Sequence, residues 1–486
     1  MNKISCFLPY AGKEQVEKTV NSLQATRLIE EIRLITTDAT LESLPDCEIL
    51  FVDMPYSSAT LKAIANAAKG EYTLLYTKET TLEMGMFALE RMIHILEDSS
   101  AGMVYADHYQ IADGKQSNAP VIDYQFGSLR DDFNFGSLLL FNTEKLKEAA
   151  GHMKSDYNFA GLYDLRLKLS QHSNLVHINE YLYSEVENDT RKSGEKIFDY
   201  VDPKNRDRQI EMEQACTEHL KEIGGYLAPE FKKIEFSAGN FEYEASVIIP
   251  VRNRIRTIRD AIKSVLMQKT DFKYNLIIID NHSTDGTTEA IDEFKDDERL
   301  IHIVPERNDL GIGGCWNVGV HHPKCGKFAV QLDSDDVYKD ENTLAIMVRA
   351  FYEQNCAMVV GTYMMTDFNM NMIAPGIIDH KEWTPANGRN NALRINGLGA
   401  PRAFYTPVLR EVKVPNTSYG EDYALGLNFS RQYQIGRVYD VVYLCRRWDD
   451  NSDASLDIVK MNGHNLYKDR IRTWELQARI AMNKNK

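Results

Sequence analysis

An apolar stretch that ends abruptly in carboxylates is the feature that most limits how this chain can fold. Residues 328–330 read FAV, and residues 331–336 read QLDSDD. Because the apolar run is short and has no helical period, it predicts a buried strand that brings acids to the edge of a sheet. Asp333 and Asp335 alternate in sequence, so their side chains project the same way on an extended segment.

Carboxylates that converge at a strand end have two ordinary uses. Mg²⁺ and Mn²⁺ prefer oxygen ligands, so Asp333 and Asp335 predict a site for one of these ions. Acids in turns also cap helices, and Asp336 precedes a helical stretch. The motif alone leaves both interpretations open.

The upstream sequence repeats the pattern of an apolar strand followed by polar residues. Residues 246–251 read SVIIPV and lead into a helical run over residues 258–268. A second apolar strand over residues 276–279 ends in Asp280. Three strand–loop–helix units of this kind predict an α/β domain. In open α/β sheets, ligands bind at the edge formed by the C-terminal ends of the strands.

The motifs of residues 244–455, taken in order, resemble the family 2 glycosyltransferases of the GT-A fold. They read SVIIPVRNR, IIIDNHSTDGT, DLGIGGCWNVG, QLDSDD, YGEDYAL and CRRWDDNSDAS. The resemblance implies transfer of a sugar from a nucleotide-diphosphate donor to an acceptor hydroxyl, with inversion at the anomeric carbon. It also implies a Mn²⁺ or Mg²⁺ ion that bridges the diphosphate.

The resemblance also implies roles for individual residues. Asp333 and Asp335 would hold the metal, and Asp422 would be the catalytic base, with Glu421 beside it. Inverting transfer needs such a base within hydrogen-bond reach of the acceptor hydroxyl. The alternative for this acidic pair is an ordinary first turn of a helix. The residues expected at the nucleotide sugar are Pro250, Val251, Asn253, Asp280, Gly311, Asn317, Asp333, Ser334, Arg446 and Arg447.

Three departures from the family pattern limit what can be carried over. Arg256 stands where many members have an acid, and Asp309 stands where they often have asparagine. Residues 446–450 read RRWDD and lack the late histidine that many members use as a metal ligand. Asp449, Asp450 or water would then complete the metal site. The arginine pair of this segment either binds phosphate or forms ion pairs with the adjacent aspartates.

The first half of the chain repeats the order of these motifs. The matching segments are residues 4–9 with 246–250, 71–80 with 327–336, 161–169 with 420–427, and 181–193 with the CRRWDDNSDAS segment. In this alignment Asp164 lies opposite Asp422. The shared order predicts an internal duplication, against the alternative of two unrelated α/β domains.

The first copy lacks the predicted metal ligands. Thr77 and Glu79 occupy the positions of the two carboxylates, and Lys78 between them would oppose a cation. We therefore expect a degenerate GT-A-like domain that binds no metal and transfers no sugar. The alternative is a metal-independent transferase that uses Asp164 as its base.

Composition narrows the class of protein. A formal net charge of −15 argues against nucleic acid or an anionic membrane as the main partner. Seven cysteines without scaffold spacing fit a reducing compartment, and no apolar run is long enough for a membrane span. We expect a cytoplasmic enzyme, with peripheral contact at the inner face of a membrane as an alternative.

These observations predict an α/β protein with two tandem GT-A domains whose sheets are mixed and mostly parallel. Residues 1–205 would form the degenerate domain, residues 206–240 a helical connector, and residues 241–486 the catalytic domain with a C-terminal helix. The expected partners are a nucleotide-diphosphate sugar and a glycan or glycolipid acceptor, in glycan or polysaccharide biosynthesis. The alternatives are a sugar-nucleotide nucleotidyltransferase and a non-catalytic carbohydrate-binding protein.

Overall fold

The computed structural model of this chain describes residues 3–10, 12–42, 44–112, 114–186, 206–237, 239–448 and 456–485. The chain divides into two units. Unit 1 extends to Tyr226 and includes the C-terminal helix as far as Ile480, whereas unit 2 begins at Leu227 and takes the last residues of the chain. Within the described ranges, no helix is long and apolar enough to cross a membrane.

Unit 1 is built around a mixed sheet. Its strands are β1 (Ile4–Pro9), β2 (Ile29–Thr36), β3 (Glu48–Phe51), β4 (Tyr72–Tyr76), β5 (Leu82–Met84), β6 (Met103–Ala112), β7 (Lys115–Ala119), β8 (Leu138–Asn142) and β9 (Leu175–Val186). Their order across the sheet is β3-β2-β1-β4-β8-β6-β9-β5, with β7 beside β6. Strands β5, β7 and β8 run against the other six.

Helices cover both faces of this sheet. They are α1 (Lys13–Gln24), α2 (Ser58–Ala67), α3 (Ala88–Asp98), α4 (Thr143–Gly151), α5 (Gly161–His172) and α6 (Arg206–Glu222). Apolar residues of α1 and α3 pack in one core, and those of α2, α4 and α5 pack in another. Successive residues of β4 enter different cores, as Leu74 and Leu75 do, because side chains alternate across a strand.

Unit 2 is built on a sheet of the same kind. Its strands are β10 (Ala245–Val251), β11 (Tyr274–Asp280), β12 (Leu300–Ile303), β13 (Phe328–Gln331), β14 (Val337–Tyr338), β15 (Met358–Thr366), β16 (Met372–Ile378), β17 (Arg402–Tyr405) and β18 (Ile435–Arg446). Their order is β12-β11-β10-β13-β17-β15-β18-β14, with β16 beside β15. All of β11 and β13 is buried, as expected for central strands covered on both faces.

The helices of unit 2 follow its strands. They are α7 (Ile258–Leu266), α8 (Thr287–Asp292), α9 (Ile312–His321), α10 (Thr343–Gln354), α11 (Gly388–Asn391), α12 (Thr406–Val412) and α13 (Glu421–Gln432). Helix α10 begins at Thr343 with Asn342 at its N-cap position. The alternative that Asp336 caps the next helix is therefore wrong.

The last helix, α14 (Ile458–Lys484), differs from its expected place. The sequence assigned it to the catalytic domain, but its residues as far as Ile480 belong to unit 1. Asp469 accepts a hydrogen bond from the Ser128 hydroxyl at 2.9 Å and lies 3.3 Å from the Arg130 guanidinium. The expected connector, residues 206–240, is likewise divided, with α6 in unit 1.

The two sheets have the same strand order, and in each of them six strands point one way and three the other. The predicted fold class, two tandem GT-A domains with mixed, mostly parallel sheets, is confirmed. The shared order supports the duplication that the motifs predict.

One detail of the predicted alignment is wrong. Helices α5 and α13 both have 12 residues and are each followed by a 12-residue strand after the same short gap. Their N-cap residues are Ala160 and Gly420, so Leu162, and not Asp164, corresponds to Asp422. Asp164 is fully buried and lies 3.8 Å from the Lys168 ammonium, and burial raises its pKa to about 7. It does not line the cleft of unit 1.

Candidate active site

A cleft of about 310 Å³ opens in unit 2 where β10 and β13 end. The topology explains its position, because the parallel strands β10 and β13 are neighbours and release their following loops at the same edge. The predicted site residues that line it are Pro250, Asp333, Ser334, Asp335, Glu421, Asp422 and Arg447. Residues from both ends of the motif series therefore meet in one cavity.

Three carboxylates follow β13 and lie close together. The Gln331 amide donates to Asp333 Oδ1 at 2.8 Å, and the backbone N–H of Arg446 donates to Asp336 Oδ1 at 2.7 Å. Burial raises the pKa of Asp333, and the charge of Asp335 raises it further. Burial together with both neighbouring carboxylates raises the pKa of Asp336 well above its usual range. Carboxyl groups are thus concentrated where the predicted metal site lies.

The donor set fits a hard divalent cation. Carboxylate oxygens are the ligands such ions prefer, and a bound cation would relieve the repulsion that raises these pKa values. Among the residues that the structure describes, no three acidic, histidine or cysteine side chains form a ready metal cage. Asp449 and Asp450, predicted as further ligands, lie outside the described residues.

A second acidic pair starts α13 and also lines the cleft. Asp422 Oδ2 lies 2.7 Å from an Arg402 guanidinium nitrogen, which favours the ionised form of this carboxylate. Glu421 differs, because burial and the adjacent Asp422 raise its pKa to about 8. Its Oε2 is buried and has no hydrogen-bond partner in the described part of the chain. The two neighbouring carboxyl groups therefore have different electrostatic environments.

The comparison with known families rests on the same region. Residues 246–403 match the model of glycosyl transferase family 2. Unit 2 contains a family 2 glycosyltransferase domain.

Relatives agree with this membership. An uncharacterized glycosyltransferase of Rickettsia felis is 37% identical over 198 residues, which are 40% of this chain and 31% of that protein. The GalNAc(5)-diNAcBac-PP-undecaprenol beta-1,3-glucosyltransferase of Campylobacter jejuni is 36% identical over 93 residues, 19% of this chain and 29% of that protein. The chain thus spans about a third of the length of either relative.

A solved structure is similar to part of the chain. S. aureus TarS, residues 1–349, in complex with UDP-GlcNAc, is 20% identical, with a TM-score of 0.38. The similar region covers 49% of this chain and 72% of that structure.

Several family-motif residues lie outside the cleft surface. Asp280 is fully buried, and its oxygens accept hydrogen bonds from the Ser283 N–H at 3.0 Å and the Thr288 hydroxyl at 2.5 Å. These hydrogen bonds lower the pKa of Asp280 despite its burial, and the nearby His302 imidazole lowers it most. In this conformation Asp280 holds the turn after β11 and is closed to a ligand. Val251 is also buried beneath the edge of the sheet.

Three further motif residues form hydrogen bonds that hold loops together. Asn253 accepts from the Thr284 N–H at 2.8 Å and so joins the loops after β10 and β11. The Asn317 amide donates to the Val414 carbonyl at 2.7 Å and accepts from its N–H at 3.0 Å. The Gly311 N–H donates to the Asn416 side chain at 2.8 Å. These residues shape the site without lining it.

The late arginine pair divides between two environments. Arg446 is fully buried, pairs with Asp260 at 2.9 Å and is not among the residues that line the cleft. Arg447 lines the cleft. Arg254 also lines it, and its Nε lies 3.8 Å from Asp335 Oδ2.

Sequence reasoning missed Arg402, which carries the contact to Asp422. It starts β17, whose antiparallel pairing with β13 places Ala403 opposite Val330. Its backbone N–H also donates to the Gln331 side chain at 3.1 Å. No local motif marks this arginine, because its position depends on which strand pairs with β13.

The protonation of Glu421 predicts how stability varies with pH. A carboxyl whose pKa rises from 4.5 to about 8 on folding stabilises the fold fully below pH 4.5 and loses this contribution as the pH rises through 8. Replacing Glu421 with glutamine removes the titration, so the stability of the variant relative to wild type should rise between these limits. Urea unfolding of both proteins without metal, near pH 4.5 and above pH 8, measures this difference in the free energy of unfolding.

The matched control is Glu353→Gln, which changes an exposed glutamate of α10 in the same unit. This variant should follow the wild-type curve. Parallel curves for wild type and Glu421→Gln would contradict the assignment of a buried, protonated carboxyl.

Proposed function

We propose that unit 2 transfers a sugar from a nucleotide-diphosphate donor to an acceptor hydroxyl, with inversion at the anomeric carbon and dependence on Mn²⁺ or Mg²⁺. The observation that carries the proposal is the shared cleft, where Asp333 and Asp335 face the acidic pair that starts α13. A metal-binding pair and a separate base are the minimum set for this chemistry.

Asp333 and Asp335 would hold the divalent ion, because they are the alternating carboxylates at the end of β13 that reach the cleft. When bound, such an ion offsets the negative charge that builds on the leaving diphosphate. Arg254 and Arg447 line the same cavity and would contact phosphate oxygens, for which the guanidinium group has suitable geometry.

Asp422 is the better candidate for the base. Its ion pair with Arg402 favours the carboxylate that can accept a proton from the acceptor hydroxyl. Glu421, with a pKa near 8, is mostly protonated at neutral pH and would first have to lose its proton. Arg402 would orient Asp422 through their contact at 2.7 Å.

We further propose a glycan or a glycolipid as the acceptor. The Campylobacter relative is named for an undecaprenol-linked acceptor, which supports a lipid-linked saccharide. The net charge of −15 weighs against nucleic acid. We place the reaction in the cytoplasm, with acceptors of this kind reached at the inner face of the membrane.

A donor panel tests the proposal. The full chain is incubated with UDP-, GDP- and dTDP-sugars, a mixture of saccharide acceptors and Mn²⁺, and the released nucleoside diphosphate is measured. We expect release from one class of donor, stimulated by the acceptor. Pyrophosphate release from a nucleoside triphosphate and a sugar 1-phosphate would instead indicate a nucleotidyltransferase, and saccharide binding without any turnover would indicate a non-catalytic protein.

A further inference from the structure

Unit 1 contains a cleft of its own, at the sheet edge that corresponds to the candidate active site. Its volume is about 340 Å³, close to that of the cleft in unit 2. Thr77, which directly follows β4, lines it, and so does Leu162 in the first turn of α5. A cavity of this size accommodates a small ligand.

The groups that would transfer a sugar are missing from this second cleft. Thr77 stands at the position of Asp333, and Leu162 stands at the position of Asp422. Asp333 and Asp422 therefore have no carboxylate counterpart here, and Glu79, which aligns with Asp335, is not among the residues that line this cavity. Unit 1 thus has a cavity of similar volume without these two groups.

An internal ion pair takes the place of the cation. The Lys78 ammonium donates to Glu185 Oε1 at 2.6 Å, and the His108 ring nitrogen lies 3.1 Å from the same oxygen. Burial raises the pKa of Glu185, but the His108 hydrogen bond and the Lys78 charge lower it by more, to about 2. Glu185 corresponds to Cys445, which lines the cleft of unit 2. The Lys78 ammonium beside Glu185 would oppose a metal ion at this position, although neither residue is among those that line the cavity.

The walls of the second cleft are rigid and aromatic. The Arg166 guanidinium packs 4.7 Å from the Tyr163 ring and 5.4 Å from the Phe135 ring, and donates to the Ser128 carbonyl at 2.9 Å. These contacts fix the rings that form one wall.

The rim is fixed as well. The Glu211 carboxylate accepts the N–H groups of Phe159 at 2.6 Å and of Ala160 at 3.1 Å. A Cβ on Gly161 would lie 2.4 Å from the Ser57 backbone, so α5 can approach α2 this closely only with glycine there. The Phe159 ring remains 39% exposed at the edge of the cavity.

We propose that the cleft of unit 1 binds a neutral carbohydrate, without metal and without nucleotide. A pyranose presents C–H groups that pack on aromatic faces and hydroxyl groups that need hydrogen-bond partners. The cleft offers both, with Phe133, Phe135 and Phe159 as apolar surface and Asn158 and Thr77 as polar groups.

Charge favours a neutral ligand. Asp131 and Arg208 both line the cavity and have opposite signs, and the third charged lining group, the Arg166 guanidinium, donates to the Ser128 and Arg130 carbonyls. The cleft therefore favours neither a strong anion nor a strong cation. The inference does not depend on the transfer reaction proposed for unit 2.

The test uses the full chain in EDTA, without nucleotide, on an array of neutral oligosaccharides of hexose and N-acetylhexosamine. The affinity for a retained oligosaccharide is then measured by calorimetry. Phe159→Ala should weaken binding by about tenfold or more, because it removes an exposed ring from the rim. Leu162→Trp should abolish binding by filling the cavity. Phe87→Ala, which removes another exposed aromatic ring of unit 1, and Asp333→Asn in unit 2 should leave binding unchanged.

Each other outcome overturns the proposal. If the wild-type chain retains no oligosaccharide, or if Phe159→Ala and Leu162→Trp bind as well as wild type, the cleft is not a carbohydrate site. Loss of binding in Asp333→Asn would assign the saccharide to unit 2. Displacement of the oligosaccharide by free UDP would show that the cavity takes a nucleotide.

Discussion

Replacing Asp422 with asparagine is expected to lower turnover by about 10²–10⁴-fold, the usual cost of losing a general base. Asparagine keeps the size of the side chain but cannot take a proton from the acceptor hydroxyl. Donor binding should persist, because the predicted metal ligands Asp333 and Asp335 and the arginines that line the cleft are unchanged in this variant. Measuring steady-state rates and donor affinity in parallel separates a loss of turnover from a loss of donor binding.

The neighbouring position supplies the matched control. Glu421→Gln changes the adjacent residue in the same turn of α13 and should cost much less turnover, because this carboxyl, with a pKa of about 8, is mostly protonated near neutral pH. Asp422→Asn also removes the negative charge that lies 2.7 Å from the Arg402 guanidinium, so thermal unfolding must be compared as well. If Asp422→Asn turns over at the wild-type rate, the base lies elsewhere, and a large loss in Glu421→Gln would identify Glu421.

The strands that carry the site could be predicted from local sequence. The expected segments 246–251 and 276–279 correspond to β10 and β11 within one or two residues, because their apolar runs match the burial of central parallel strands. The acids of the QLDSDD motif lie at the cleft for the same reason, since a buried strand must end where the sheet meets solvent. Short-range patterns were sufficient for this part of the fold.

The positions that sequence reasoning missed depend on which strands and helices pack together in the folded chain. Arg402 reaches Asp422 only because β17 runs antiparallel to β13, which no motif around Arg402 indicates. The mixed-charge sequence of α14 does not show which unit it packs on, and its buried Asp469 finds its partners in unit 1. Arg446 looked exposed in a charged segment, yet it is buried against Asp260.

Asp335→Ala is expected to abolish transfer while leaving the fold intact. The Asp335 side chain is partly exposed at the end of β13, so its loss costs little packing, whereas half of the predicted metal-binding pair disappears. In the wild-type chain, excess EDTA should remove activity, and Mn²⁺ or Mg²⁺ should restore it. Nucleotide affinity measured with and without Mn²⁺ gives a second readout. In the variant, this affinity should no longer depend on the metal.

The repeat within the chain provides the control for this experiment. Glu79 of unit 1 aligns with Asp335, so Glu79→Ala makes the corresponding truncation in a copy that lacks the rest of the proposed site. Transfer and its metal dependence should be unaffected by this change, because Glu79 is an exposed residue of unit 1 that lines neither cleft. Full turnover of the wild-type chain in excess EDTA would refute metal dependence. Activity that survives Asp335→Ala but falls in Glu79→Ala would assign the reaction to unit 1 instead.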